Sequence, residues 1–82
     1  MTYQEREISK NQLEKILQTL DLDEGIRIEN KSSMIFLNRS AKRYCVNIST
    51  QGNEEFFYRD NIRDVLDFLN GKIEQTSTIF SY

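Results

Sequence analysis

Cys45 is the residue with the clearest nucleophilic chemistry, and it is the only cysteine in this chain of 82 residues. Arg43 lies two positions before it, shares its face of a predicted strand and favours a thiolate. A catalytic thiol also needs a base, most often histidine, and the chain contains none. We therefore interpret Cys45 as a small, half-buried residue and predict no catalytic residues and no enzyme activity.

Metal and cofactor chemistry is restricted by the same composition. With no histidine and one cysteine, zinc and copper sites of the ordinary types are excluded. The segment DLDEG, residues 21–25, resembles the start of a calcium loop, but its glycine comes one position too early. The position that needs a bidentate glutamate is Ser32. No glycine-rich phosphate loop is present, so we predict neither a metal nor a cofactor.

The basic residues form one cluster, in which Arg39, Lys42 and Arg43 are followed by Tyr44. Cations beside an aromatic ring are typical of nucleic-acid-binding surfaces, because they contact phosphates and stack on bases. The net charge is −2, however, and this turn is predicted to lie at the same end of the sheet as the acidic residues 21–24. We therefore prefer neutralisation by neighbouring carboxylates and keep a nucleic-acid-binding domain, which would use residues 39–44, as the alternative function.

Two amphipathic helices are predicted to flank the residues described so far. Ser9 and Gln12 have the spacing of a capping box before the first helix, which should end near Leu20 or Asp21. Its apolar stripe repeats at helical spacing and consists of Leu13, Ile16, Leu17 and Leu20. Asp60 is expected to cap the second helix, and Gly71 to take a left-handed position just after it. The second stripe consists of Ile62, Val65, Leu66 and Leu69.

Four runs between the helices have the composition of strands, and short polar connectors separate them. They are GIRIE (25–29), MIFLN (34–38), RYCVNIS (43–49) and EEFFYR (54–59). This order predicts an α+β fold, a four-stranded antiparallel meander flanked in sequence by two helices packed on one face, α-β-β-β-β-α. Residues 1–82 are expected to form a single small domain, with residues 72–82 as a tail or a C-terminal edge strand.

The second and fourth of these strands carry apolar residues on both faces, although a half-solvated sheet should alternate. Leaving such side chains in water forgoes about 1.5–3 kcal/mol each. The outer face should therefore be covered by the tail, a second subunit or another protein. We predict a homodimer that forms through this face or through the C-terminal segment. The candidate contact surface consists of Phe57, Ile79, Phe80 and Tyr82.

The composition also indicates the cellular compartment and whether the protein associates with a membrane. A lone cysteine cannot form an intramolecular disulfide, which indicates the reducing cytoplasm. The longest apolar runs are far shorter than the roughly 20 residues of a membrane span, so no membrane partner is expected.

The order of elements resembles that of the double-stranded RNA-binding domain, α-β-β-β-α. That domain has phosphate-binding lysines at the start of its last helix, where this chain has the acidic segment DNIRD, residues 60–64. Size and acidic balance are similar to those of small αβ proteins of phages and mobile elements, including some anti-CRISPR inhibitors. The sequence thus predicts a small non-enzymatic binding module that acts through protein–protein contact, of an inhibitor or regulator type.

Overall fold

A computed structural model describes residues 5–22 and 24–82 of the chain. Asp23, which belongs to the segment that resembles a calcium loop, lies outside the described residues. The elements of the described part are β1 (Arg6–Ile8), a 3-10 turn (Lys10–Gln12), α1 (Leu13–Gln18), β2 (Gly25–Glu29), β3 (Ser33–Arg39), β4 (Tyr44–Thr50), β5 (Asn53–Arg59), α2 (Ile62–Asn70) and β6 (Thr78–Ser81).

The strands of the described residues form one six-stranded sheet in the order β1-β6-β2-β3-β4-β5, with antiparallel neighbours throughout. The predicted α+β fold and the meander, β2 to β5, are confirmed. The predicted edge position of the C-terminal strand is wrong, because β6 lies between β1 and β2. The three residues of β1, Arg-Glu-Ile, are too few to show a strand period in the sequence.

Apolar side chains from the helices and from alternate strand positions meet on one face of the sheet, called the inner face here. Hydrophobic burial is the main source of stability for such a core. The buried core residues are Ile8, Leu13, Leu17, Leu20, Ile26, Ile28, Ile35, Leu37, Tyr44, Val46, Val65, Leu69 and Ile79. Both predicted helical stripes contribute to this core. The opposite side of the sheet is called the outer face.

The caps of the two helices differ in how well the sequence predicts them. Gln12 accepts a hydrogen bond from the backbone amide of Ser9 at 2.9 Å, as expected for a capping box. The predicted cap of α2, Asp60, is wrong by one residue. Asn61 has the extended backbone of an N-cap, and its side-chain oxygen accepts from the amide of Asp64 at 2.9 Å.

The ends of both helices also differ from the prediction. α1 ends at Gln18, where the Thr19 hydroxyl donates to the backbone carbonyls of the preceding turn. Leu20 lies beyond the helix but is still buried, so the apolar stripe extends past the end of the helix. Gly71 has φ −88° and is not left-handed.

A hydrogen-bonded connection between α2 and β6 directs the C-terminal segment into the sheet. The side-chain amide of Asn30, in the β2–β3 turn, donates to the Lys72 carbonyl at 2.9 Å and accepts from the Ser77 hydroxyl. The Lys31 amide donates to the Glu74 carboxylate at 2.9 Å. These side-chain contacts hold the segment before β6 against the β2–β3 turn.

Candidate functional site

The outer face has a continuous row of side chains that crosses the sheet from β6 to β5. Cross-strand register aligns these residues, so that neighbours lie about 4.8 Å apart and every second one about 10 Å apart. The row, called the aromatic row here, consists of Phe80, Arg27, Phe36, Asn47 and Phe56. Aromatic rings therefore stand at regular intervals on a face that carries no helix.

Exposure along the outer face increases towards β5. Phe36 and Phe80 are half-buried, whereas Phe56 is 58% exposed and Tyr58 is 50% exposed. Both exposed rings belong to the same strand, which is an edge of the sheet that the described residues form. Two large rings this exposed on adjacent outward positions form an apolar patch of the kind that marks an interaction surface.

Arg27, which lies between Phe80 and Phe36 in the aromatic row, has its charge balanced within the fold. Its guanidinium forms ion pairs with Glu5 at 2.7 Å and with Glu29, and lies 4.5 Å from the centre of the Phe80 ring. The hydrogen bond to Glu5 raises the pKa of Arg27, and the charge of Glu29 acts in the same direction. Arg27 therefore stays cationic but has its donors committed to carboxylates.

The outer face as a whole is acidic. Besides the two carboxylates that pair with Arg27, it carries Glu7 beside Phe80 and Glu54 near the β4–β5 turn. The other outer cation is Arg43, whose guanidinium lies 5.4 Å from the centre of the Tyr58 ring. Phosphate groups placed over this face would meet more carboxylates than free cations.

The last residue of the chain covers one end of the outer face. The backbones of Tyr82 and Gly25 exchange two hydrogen bonds, of 2.9 and 3.0 Å, and the Tyr82 hydroxyl donates to Asn38 at 3.3 Å. A Cβ at Gly25 would lie 2.6 Å from both the Tyr82 hydroxyl oxygen and the Asn38 Oδ1. Glycine therefore lets the ring approach the backbone of β2.

The four residues predicted as a contact surface lie on different faces. Phe80 and Tyr82 lie on the outer face, where Arg27 and Asn38 respectively contact them. Ile79 is buried in the core, and Phe57 faces the helices with its ring 4.8 Å from that of Phe68. The structure therefore places two of the four predicted contact residues on the outer face and two on the inner face.

The surface residues that sequence reasoning did not select are Phe36, Phe56 and Tyr58. From the sequence, either set of alternate residues in β3 and in β5 could face outward, because each strand has apolar residues at consecutive positions. The two-residue turn of Gln51 and Gly52 sets the register of β5 against β4 and was the available signal.

The basic turn lies at the end of the sheet where α2 begins. Arg39, Lys42, Arg43 and Tyr44 line a shallow cavity of about 270 Å³ together with Asp60. Tyr44 is buried, so its ring does not offer a surface on which a base could stack. The structure brings these four residues together but places a carboxylate among them.

In this turn the Arg39 side chain is held by a hydrogen bond to the backbone rather than by a carboxylate. The Arg39 guanidinium donates to the Leu20 carbonyl at 2.7 Å and lies 5.9 Å from the centre of the Tyr44 ring. Both ion pairs found in residues 5–22 and 24–82 involve Arg27, so the expected neighbouring carboxylates form no ion pair with this turn, although Asp60 lines the same cavity. Glu24 instead accepts a hydrogen bond from the Asp21 amide at 2.8 Å.

Cys45 lies half-buried on the outer face, between Asn38 on β3 and Tyr58 on β5. Neither neighbour is a base of the kind that activates a thiol. Within the described part of the chain, no three His, Cys, Asp or Glu residues are grouped so that they could hold a metal ion. No described helix is long and apolar enough to cross a membrane.

A second cavity, of about 430 Å³, lies on the helical side of the molecule. It is an open groove between the start of α1 and the end of α2. Apolar residues form its floor and polar residues its rim, and it is lined by Lys10, Asn11, Leu13, Glu14, Leu66, Asp67, Leu69, Asn70 and Ile73. No group of titratable side chains in it has the arrangement of a catalytic site.

Comparison with known proteins gives no match to a family model, a curated protein or a solved structure.

Proposed function

We propose that this protein is a small, non-catalytic binding module that acts through protein–protein contact at the outer face of its sheet. The observation that carries the proposal is the exposure of Phe56 and Tyr58, at 58% and 50%, on a face that no helix covers. The fold does not need these rings for its core, because the inner face alone supplies the buried residues. A role in binding accounts for their position.

The chemistry of the face indicates the kind of partner. Its aromatic row would bury apolar side chains, and its carboxylates, such as Glu7 and Glu54, would attract lysine and arginine. The partner that fits is a protein surface with an apolar centre and a basic rim. Binding of this kind is consistent with an inhibitor or regulator, and the unpaired Cys45 suits the reducing cytoplasm.

Nucleic acid is the second candidate, because Arg39, Lys42 and Arg43 converge on one cavity without an ion pair in the described residues. Asp60 in that cavity and the burial of Tyr44 count against it. A salt series with short single- and double-stranded oligonucleotides tests this candidate. A nucleic-acid binder must lose affinity steeply as salt rises, and an absence of binding at low salt removes the candidate.

The test of the protein-binding function uses a photo-crosslinking amino acid at position 36 on the outer face and, as a control, at position 63 on the exposed side of α2. Position 36 should crosslink a defined cellular protein, and position 63 should not. The purified partner should then lose more than about tenfold in affinity with Phe36→Ser, a difference of about 1.4 kcal/mol. Arg63→Ser should leave its affinity within about twofold, a small fraction of that energy.

Two outcomes contradict the proposal. Equal crosslinking from positions 36 and 63 would indicate contact by chance rather than through the outer face. A partner whose affinity is unaffected by Phe36→Ser, in protein that keeps its circular dichroism spectrum, would place the binding surface elsewhere.

A further inference from the structure

The edge strand β5 is open to pairing with another strand. The sheet ends at β1 on one side, which has three residues, and at β5 on the other, which has seven. An edge strand presents unpaired amide and carbonyl groups, and proteins usually protect it with proline, lysine, a bulge or a covering element. β5 contains neither proline nor lysine, and all seven residues pair with β4 without a bulge. Its charged residues, Glu54, Glu55 and Arg59, lie towards its two ends and leave the segment Phe56–Tyr58 uncharged.

The β4–β5 turn decides which backbone groups of β5 face outward. Thr50 and Asn53 flank a two-residue turn and must form a hydrogen-bonded pair. Hydrogen-bonded and non-bonded pairs alternate along an antiparallel ladder, so Glu54, Phe56 and Tyr58 direct their amides and carbonyls away from the sheet. The Tyr58 carbonyl accepts a hydrogen bond from the Arg59 guanidinium at 2.7 Å, and the amide of a second strand would replace that donor. These three residues also carry the side chains of β5 on the outer face.

We propose that β5 pairs with β5 of a second copy of this chain, antiparallel, about a two-fold axis that passes through Phe56. In this register Phe56 lies opposite Phe56 of the second copy, and Glu54 lies opposite Tyr58 of the second copy. Every outward amide and carbonyl of the three residues then has a partner. The two sheets join into one, and no backbone in either copy needs to change.

The charges of β5 favour this antiparallel, two-fold arrangement. Its first half carries Glu54 and Glu55, and its second half ends in Arg59, with Arg43 stacked on Tyr58 at 5.4 Å. Pairing about Phe56 places Glu54 beside the ring of Tyr58 and the guanidinium of Arg43 in the other copy. Symmetry repeats this contact. A parallel arrangement in register would place Glu54 beside Glu54, and like charges directly opposite each other are destabilising.

The joined sheet would place the exposed rings of both copies at its centre. Phe56 and Tyr58 of each copy would form one continuous outer surface, with part of their exposed area removed from water. A two-fold axis is the commonest symmetry for such an assembly, because the same edge serves both subunits. This inference goes beyond the proposed function and does not rest on it.

Sedimentation velocity of the full chain at micromolar concentration is the first test, and we expect a dimer. Phe56→Pro removes the central outward amide but breaks no hydrogen bond to β4, because this amide faces away from the sheet. The variant should therefore be a folded monomer. Phe56→Thr keeps the amide and should keep the dimer within about tenfold in affinity. Wild-type protein that is monomeric at about 100 μM, a concentration at which any dimer tighter than about 6 kcal/mol would form, would overturn the proposal.

A charge exchange gives a second test that does not depend on proline. Glu54→Lys should weaken the dimer by more than about tenfold, and adding Arg43→Glu should restore most of the loss. An unchanged dimer in Glu54→Lys, or no recovery in the double variant, would exclude the proposed register.

Thiol crosslinking tests the position of the axis directly. In a Cys45→Ser background, Phe56→Cys should crosslink two copies with a short bifunctional thiol reagent, because opposite residues of a hydrogen-bonded antiparallel pair have Cα atoms about 5.5 Å apart. Tyr58→Cys is the matched control and should not crosslink, since it lies opposite Glu54. Crosslinking of Tyr58→Cys without Phe56→Cys, or of neither in a protein that is dimeric, would contradict the two-fold axis at Phe56.

Discussion

The inner and outer faces of the sheet are built from the same strands but have different consequences for this protein. On β3, Leu37 is fully buried beneath the helices, whereas the adjacent Phe36 lies half-buried in the aromatic row. On β5, Phe57 packs against α2, and its neighbours Phe56 and Tyr58 are exposed. One-residue steps thus separate side chains that stabilise the fold from those available for contact. Apolar composition alone therefore does not reveal which role a residue has.

The largest expected difference is in the free energy of unfolding, between a truncated side chain on the inner face and one on the outer face. Leu37→Ala should lower the free energy of unfolding by about 2–5 kcal/mol, because it removes buried contacts and leaves a cavity. Phe56→Thr keeps a residue that favours strands and should change it by less than about 0.5 kcal/mol. Urea titration at low protein concentration measures both. Similar losses for the two variants would mean that the outer face also supports the fold.

The second prediction concerns the place where Tyr82 covers the outer face. Gly25→Ala should cost about 1 kcal/mol, because the new Cβ would crowd the Tyr82 hydroxyl and the Asn38 Oδ1, of which only the first is removed with the Tyr82 ring. In a Tyr82→Ala background the same substitution should cost less, and thermal unfolding of the double-mutant cycle measures the coupling. Gly71→Ala is the control, since a Cβ there meets nothing within 4 Å. An equal cost with and without the tyrosine ring would contradict the proposed contact.

The third prediction concerns the N-cap of α2, one of the helices that cover the inner face. Asn61→Ala should lower the free energy of unfolding by about 1 kcal/mol, since the Asp64 amide loses its acceptor. Asp60→Ala is the matched control and should cost less than about 0.5 kcal/mol. Chemical denaturation followed by circular dichroism distinguishes them. A larger effect at Asp60 would return the helix start to the residue expected from the sequence.

The smallest effect is expected from the ion pairs of the outer face. Glu29→Gln, which removes one carboxylate from Arg27, should cost about 0.2–1 kcal/mol because the pair is partly exposed. The cost should shrink further in 1 M salt, where the screening length is about 3 Å. Glu7→Gln, on the same face, should be neutral. If Glu29→Gln lowered the free energy of unfolding more than Leu37→Ala does, electrostatics and not burial would distinguish the two faces.

Much of the fold follows from the sequence alone, because local patterns set it. The helical stripes, the capping box at Ser9 and the four strands of the meander depend on residues close together in the chain. The same locality explains the error at the start of α2. Asp60 and Asn61 are both good caps, and only the backbone geometry of the strand-to-helix connection selects Asn61.

Tertiary structure decided the position of β6 and the assignment of faces. Thr78–Ser81 has strand composition, but its place between β1 and β2 depends on pairing with two segments that are distant in the chain, Arg6–Ile8 and Gly25–Glu29. Consecutive apolar residues such as Phe56, Phe57 and Tyr58 fit either face, so their own pattern does not determine the register. The β4–β5 pairing and the packing of Phe57 on α2 place the other two rings outside. The candidate surface therefore follows from strand pairing and helix packing, which the composition of a strand by itself does not encode.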